Sequence, residues 1–240
     1  MATPASAPDD LSAESIGHRR WRYIARLLWV IVGVAGIGIG AGTLRSIGAG
    51  VDPYTAANIG ISAALGLDLG TYQLLSNLVL FVPMLIWGRR YIGVGSIVNM
   101  VFAGFAVQFA SDLIAAVLPA FVPTWLRLAL FLAGILVFCL GASLYMTAAL
   151  GTAPYDALAP MIVDGTRAPY RAVRVGQDVF FLVLALVFHG AVGFGTVVTA
   201  FFTGPLIEFF NGRVSTPLLR HDLEARTPRQ RRTRTAPDHL

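Results

Sequence analysis

Apolar positions gather into six long runs, broken by short stretches of Gly, Pro and polar residues. The first, Ile24 to Leu44, would be about 30 Å long as a helix, one bilayer core thick. Asp52-Pro53 then opens a shorter segment reaching about Leu67: Asp suits a helix cap and Pro its first turn. That segment is too short to cross comfortably and reads as a re-entrant or interfacial helix. Runs from Tyr72 to Trp87 and from Gly93 to about Leu118 complete the first half. The second half repeats the order: Leu126 to Leu150, a short helix from Thr152-Ala153-Pro154 stopped by Pro160 or Gly165, a run ending near Phe188, and Gly193 to Phe210. The pattern predicts an all-α, polytopic membrane helix bundle of six spans, with a short Pro-Tyr helix after the first span of each half.

The halves share more than rhythm. Gly50-Val51-Asp52-Pro53-Tyr54 is echoed by Gly151-Thr152-Ala153-Pro154-Tyr155, and Gly93-Val94-Gly95-Ser96 by Gly193-Phe194-Gly195-Thr196. Gly104 and Phe109 have counterparts in Gly204 and Phe209. One unit is used twice. The expected segments are a disordered stretch 1–22, a first membrane repeat 23–118, a second 119–212, and a basic, disordered tail 213–240.

Composition sharpens the membrane reading. Apolar residues make up 56% of the chain and charged ones 13%, where soluble domains carry roughly a quarter charged; mean hydropathy is +0.69. All 18 basic residues are Arg. They cluster at the ends of apolar runs and in the tail, which suits anionic lipid headgroups and not nucleic acid. The run after Arg26 is too long for a signal-peptide core and reads as a retained span. Cys139 is the single cysteine, so neither a disulfide framework nor a thiolate metal site is expected. No cofactor is indicated.

The arginines also orient the spans. With the amino terminus inside, sixteen of the eighteen fall on inner segments, and only Arg45 and Arg127 lie outside. Both termini are then cytoplasmic. Because each unit has an odd number of spans, the second enters from the opposite side, which predicts an inverted repeat.

Matching the units aligns Gln73 with Arg174, Asn77 with Asp178, Asn99 with Thr199 and Gln108 with Glu208. Ionisable groups inside spans are costly and mark pathways. The free N–H groups at the start of a short helix suit an anion or carbonyl oxygen, and Asp156 also stabilises that first turn. Gly50, Pro53, Tyr54, Asn77, Gly151, Pro154, Tyr155, Asp156, Asp178 and Glu208 are the candidate solute-binding residues. The bland alternatives are an interfacial Arg174–Asp178 pair and a Glu208 near the inner headgroups. The four histidines have no metal-ligand spacing, and no Ser or Cys stands in a nucleophile context, so an enzyme is not expected.

The run Gly151-Thr152-Ala153-Pro154-Tyr155-Asp156-Ala157-Leu158 after a Gly-rich span, with a later Gly-x-Gly-Thr span, resembles the YczE/YyaS/YitT group of bacterial membrane proteins, and most closely its YczE-like branch. The likeness covers roughly residues 27–212; those proteins often have Trp where this chain has Tyr155. The resemblance implies a multi-pass protein of the bacterial plasma (inner) membrane, and it supplies no substrate and no site residue. Two functions follow from the sequence. The first is a small secondary-transporter-like protein with a site for an unknown small solute between the repeats, the thin six-span wall leaving room for a homodimer. The alternative is a non-transporting membrane scaffold or regulatory partner of an enzyme complex, contacted through the Arg-rich tail.

Overall fold

The structure, a computed structural model, describes residues 8–119 and 121–225, with side chains between residues 20 and 221. Its elements are α1 (Pro8–Ser46), α2 (Pro53–Leu65), α3 (Leu69–Trp87), a 3-10 turn (Arg89–Tyr91), α4 (Val94–Val117), α5 (Thr124–Thr147), α6 (Pro154–Gly165), α7 (Tyr170–Val187), α8 (Phe194–Phe210), a π-turn (Asn211–Ser215) and α9 (Thr216–Ala225). No strand occurs among the described residues.

Four segments are long and apolar enough to cross a bilayer: Arg20–Ser46, Leu69–Trp87, Val94–Val117 and Thr124–Thr147. The other two expected spans fall short for identifiable reasons. α7 has 18 residues but carries Arg171, Arg174 and Asp178. α8 has 17 residues, about 26 Å at 1.5 Å per residue, less than a hydrocarbon core of about 30 Å. Large apolar side chains such as Val32, Val79, Phe102, Leu132, Phe180 and Phe201 point outward, which is the surface a lipid-embedded protein presents.

The first and last segments correct the sequence reading. Residues 1–7 lie outside the described set, but from Pro8 the backbone is helical and continuous with α1. Residues 8–22 are therefore not irregular. At the other end the chain is helical to Ala225 instead of disordered from residue 213. The Ser143 hydroxyl reaches Asn211 Oδ1 at 2.7 Å and Ser215 Oγ at 2.5 Å, and Thr147 reaches the same Asn211 oxygen at 3.1 Å. These bonds fasten the π-turn to α5, and buried Leu219 follows. Residues 226–240 lie outside the described set.

Glycine sets the centre of the molecule. α1 packs along both α5 and α4. A Cβ on Gly141 would stand 2.5 Å from the Ile37 nitrogen, and one on Gly40 would stand 2.5 Å from that of Phe138. Backbones this close admit no side chain between them, the small-residue packing used where lipid supplies no hydrophobic drive between helices. Capping then places the short helices. Asp52 Oδ1 accepts from the Thr55 amide at 3.0 Å with Pro53 in the first turn, and Gly66 closes α2 in left-handed backbone at φ +67°. Asp68 caps α3 in the same way. Hydrogen bonds from the Thr71 hydroxyl and amide hold its carboxyl below the usual carboxylate range. α6 runs through Pro160 to Gly165, so the later of the two expected stops is the real one.

Candidate functional site

Two glycines with positive φ place the short helices against the opposite half of the chain. Gly50 has φ +88° and Gly151 φ +110°, conformations open to glycine at little cost. Gly50 presses on the Gly193 nitrogen and lies so that a Cβ would stand 2.6 Å from Thr196 Oγ1. Gly151 does the same to Gly93 and Ser96, with a Cβ 2.5 Å from Ser96 Oγ. The backbone bonds are matched as well. Gly195 donates to Ala49 O and Gly95 to Leu150 O, each at 2.7 Å; Val51 donates to Ala191 O at 3.1 Å and Thr152 to Tyr91 O at 2.9 Å. Ser96 and Thr196 each accept from the amide three residues earlier at 3.1 Å. Each Gly-x-x-Pro-Tyr turn is thus seated on the Gly-x-Gly-Ser/Thr turn of the other unit.

The exchange brings the first turns of α2 and α6 together. The Tyr54 and Tyr155 rings stack with centroids 4.5 Å apart and planes 15° apart, and the Phe181 ring closes edge-on at 5.1 and 5.3 Å. Pro53 and Pro154, which open the two helices, are buried. Each hydroxyl turns to its own unit's next helix. Tyr54 donates to Asn77 Oδ1 at 2.7 Å and also reaches Ser76 Oγ at 3.2 Å; Tyr155 donates to Asp178 Oδ1. Asn77 Nδ2 continues to Met100 O at 3.3 Å.

The second unit adds charge. Arg174 spans Asp156 Oδ1 at 3.1 Å and Asp178 Oδ2 at 3.6 Å, and its guanidinium lies 4.8 Å from the Tyr155 ring centre. The expected interfacial Arg174–Asp178 pair is therefore half of a triad. Gln177 Nε2 donates to Tyr155 O at 2.9 Å.

Nine of the ten candidate residues meet at this seam. Glu208 does not: it lies on the exposed side of α8. Its counterpart Gln108 is held by the Gly70 amide, which donates to its Oε1 at 2.9 Å, and no such partner fixes position 208. Sequence matching overlooked Ser76, Gln177 and Asn58. Ser76 and Gln177 occupy equivalent positions beside the aligned Asn77 and Asp178, a signal that was available. Asn58 aligns with Ala159 and gave none. Among the described residues, no group of three or more His, Cys, Asp or Glu is placed to hold a metal ion.

Residues 24–212 match the family of unknown function DUF6198. The chain belongs to that family. Relatives include the uncharacterized membrane protein YczE of Bacillus subtilis, 27% identical over 79% of this chain and 84% of its own length. An uncharacterized protein of Haemophilus influenzae is 28% identical over 83% and 88%, and YyaS of Bacillus subtilis is 24% identical over 75% and 89%. No solved structure matches. The match begins after the amino-terminal arm and ends at Gly212, so it contains both Gly-x-x-Pro-Tyr turns and the whole seam.

Proposed function

We propose that this integral membrane protein is a small secondary-transporter-like carrier, with its two three-span units inverted relative to each other and a solute site at the Tyr54–Tyr155 seam. One observation carries the reading: the matched exchange of turns between the units. Contacts in which each partner offers the other the same surface are the mark of a two-fold relation. A two-fold between units of odd span number runs in the membrane plane, and interrupted helices meeting near such an axis are where carriers of this kind bind solute. The arginine distribution supports cytoplasmic termini in a bacterial plasma membrane.

A departure from symmetry supports alternation. α3 packs along α4, and a Cβ on Gly104 would stand 2.8 Å from Gln73 Cβ. α7 scarcely touches α8, and nothing comes within 4 Å of a Cβ on Gly204. Correspondingly, Gln73 and Asn77 are buried, whereas the side chains of Arg174 and Asp178 are 31% and 17% exposed. One unit is closed and the other open, as rocking of one against the other requires. The scaffold alternative has less behind it, because the start of the Arg-rich tail is bound to α5 and α1.

The test is uptake and efflux in vesicles reconstituted with the purified chain, across a panel of cationic, neutral and anionic solutes. We expect flux of at least one solute, reduced strongly by Asp156→Asn and by Asp178→Asn. Equal flux in both variants would remove the site assignment.

A further inference from the structure

At the end of α1 away from the amino terminus, α1, α4 and α5 leave a cavity of about 360 Å³, a size in the range of small-molecule sites. Ser46 and Ile47 line it from the end of α1, Ala115 and Leu118 from the end of α4, and Val122 and Arg127 from the start of α5. The repeat shows why space is left here. Ser46, Ala115, Pro119 and Arg127 match Thr147, Ser215, Leu219 and Arg26 of the other half. In that half the chain runs on from α8 through the π-turn into α9, which packs on α1 with Leu219 buried. In this half α4 stops at Val117, and Pro119 follows its cap, where a helix does not continue. Ser46 Oγ still bonds to Ser111 O at 3.0 Å, as Thr147 bonds to Asn211. The two crevices therefore agree to this depth, and only one is filled by the chain itself.

We infer that this cavity takes the phosphodiester headgroup of an anionic phospholipid, a site that stands apart from the solute seam. Arg127 supplies the charge. Among the described residues no carboxylate pairs with its guanidinium, and no side chain caps the first turn of α5, whose amino end adds partial positive charge. An unpaired charge at the edge of a membrane is costly, and a guanidinium fork fits phosphate oxygens. One guanidinium matches the single charge of a phosphodiester. Asp112, the acid of α4, does not line the cavity, so no carboxylate there holds the ammonium of a zwitterionic headgroup. The surroundings decide between a lipid and a free anion. Ile47, Leu118 and Val122 offer apolar wall beside the arginine, and on the flanking helices Val117 and Trp125 are 75% and 71% exposed, a surface that lipid covers. A hydrated free anion gains nothing from that apolar area, whereas a glycerol backbone and acyl chain bury it.

The experiment is thermal melting of the purified full chain in a nonionic detergent, with dioleoylphosphatidylglycerol mixed into the micelles, against dioleoylphosphatidylcholine at the same mole fraction and sodium phosphate at the same ionic strength. Phosphatidylglycerol should raise the melting temperature saturably by mass action, and the other two should not. Arg127 is exposed, so Arg127→Gln should melt as a folded protein and bind phosphatidylglycerol about tenfold more weakly. Ala115→Phe fills the cavity and should weaken the response likewise. Arg171→Gln removes an equal charge from the start of α7 and should respond as the parent does. An equal shift from phosphatidylcholine would mean a general lipid effect, and a shift from phosphate alone a free-anion site; either overturns the inference. So would the absence of any phosphatidylglycerol shift, a full response in Arg127→Gln, or an equal loss in Arg171→Gln. If Ala115→Phe did not fold, Arg127→Gln against Arg171→Gln would decide the matter.

Discussion

Gly48 and Gly50 both hold positive φ, +65° and +88°, yet they differ in what surrounds them. Nothing lies within 4 Å of a Cβ on Gly48, whereas one on Gly50 would strike the Gly193 backbone. Gly48→Ala should therefore cost only the left-handed backbone penalty, about 1–2 kcal/mol. Gly50→Ala should cost clearly more, because the clash meets backbone that cannot swing away. Thermal melting of the two variants in one detergent checks the order, and equal losses would deny that Gly50 seats the turn. Gly151→Ala should behave as Gly50→Ala does. This glycine pair was legible in the chain because a repeat exposes it, and so were the Pro-Tyr pairs. Glu208 stands apart from the seam for the complementary reason. A residue aligned with a buried, bonded glutamine inherits its register but not its neighbours, and α8 has moved away from the helix that would have supplied them. Asn58 could not be found by matching, since its counterpart is Ala159; only its place beside the Tyr54 hydroxyl marks it.

Whole helices depend on closer tolerances than a hydropathy plot conveys. The α1–α5 crossing rests on Gly33, Gly36, Gly40 and Gly141, each with backbone of the facing helix where its side chain would be. Gly141→Leu would force the pair apart along several turns. We expect a loss beyond the 1–3 kcal/mol typical of overpacking, seen as low folded yield and a melting temperature far below that of the parent. Gly176→Leu, with nothing within 4 Å of its Cβ, should melt as the parent does. At the far end, Asn211→Ala removes the oxygen shared by Ser143 and Thr147. It should cost about 1–2 kcal/mol and let α9 lift, so that trypsin cuts at Arg213 and Arg220 sooner; unchanged digestion would mean that Leu219 alone holds α9 down. Gly36 and Gly40 stand four residues apart in the sequence, as do Gly38 and Gly42, but their partner helix is a property of the crossing. The sequence reading misplaced both helix extensions because polar, charged composition was taken for disorder. An arm continuous with a long helix avoids the cost of nucleating a new one, and a tail that finds hydrogen bonds on α5 needs little apolar surface of its own.

At the scale of the whole molecule, the inverted arrangement and its asymmetry make separate claims. Orientation is checked by single cysteines in a Cys139→Ala background. Leu67→Cys, in the exposed link between α2 and α3, should label from outside, and Thr166→Cys, in the link between α6 and α7, from the cytoplasm. Labelling of both from one face would overturn the inversion. The asymmetry makes the stronger demand. If the units exchange states, α7 must close on α8 until Gly204 is packed as Gly104 is now, with Arg174 taking against α8 the place that Gln73 holds against α4. A bulky residue at position 204 meets open space in the present state and a helix in the other. Gly204→Leu should therefore leave yield and melting within about 0.5 kcal/mol of the parent while flux falls by about tenfold or more. Because Gly104 is packed now, Gly104→Leu should instead destabilise this state or push the protein into its opposite, with Leu67→Cys then labelling faster. Normal flux through Gly204→Leu would show that the gap between α7 and α8 never closes, and the two units would then differ in permanent structure and not in state.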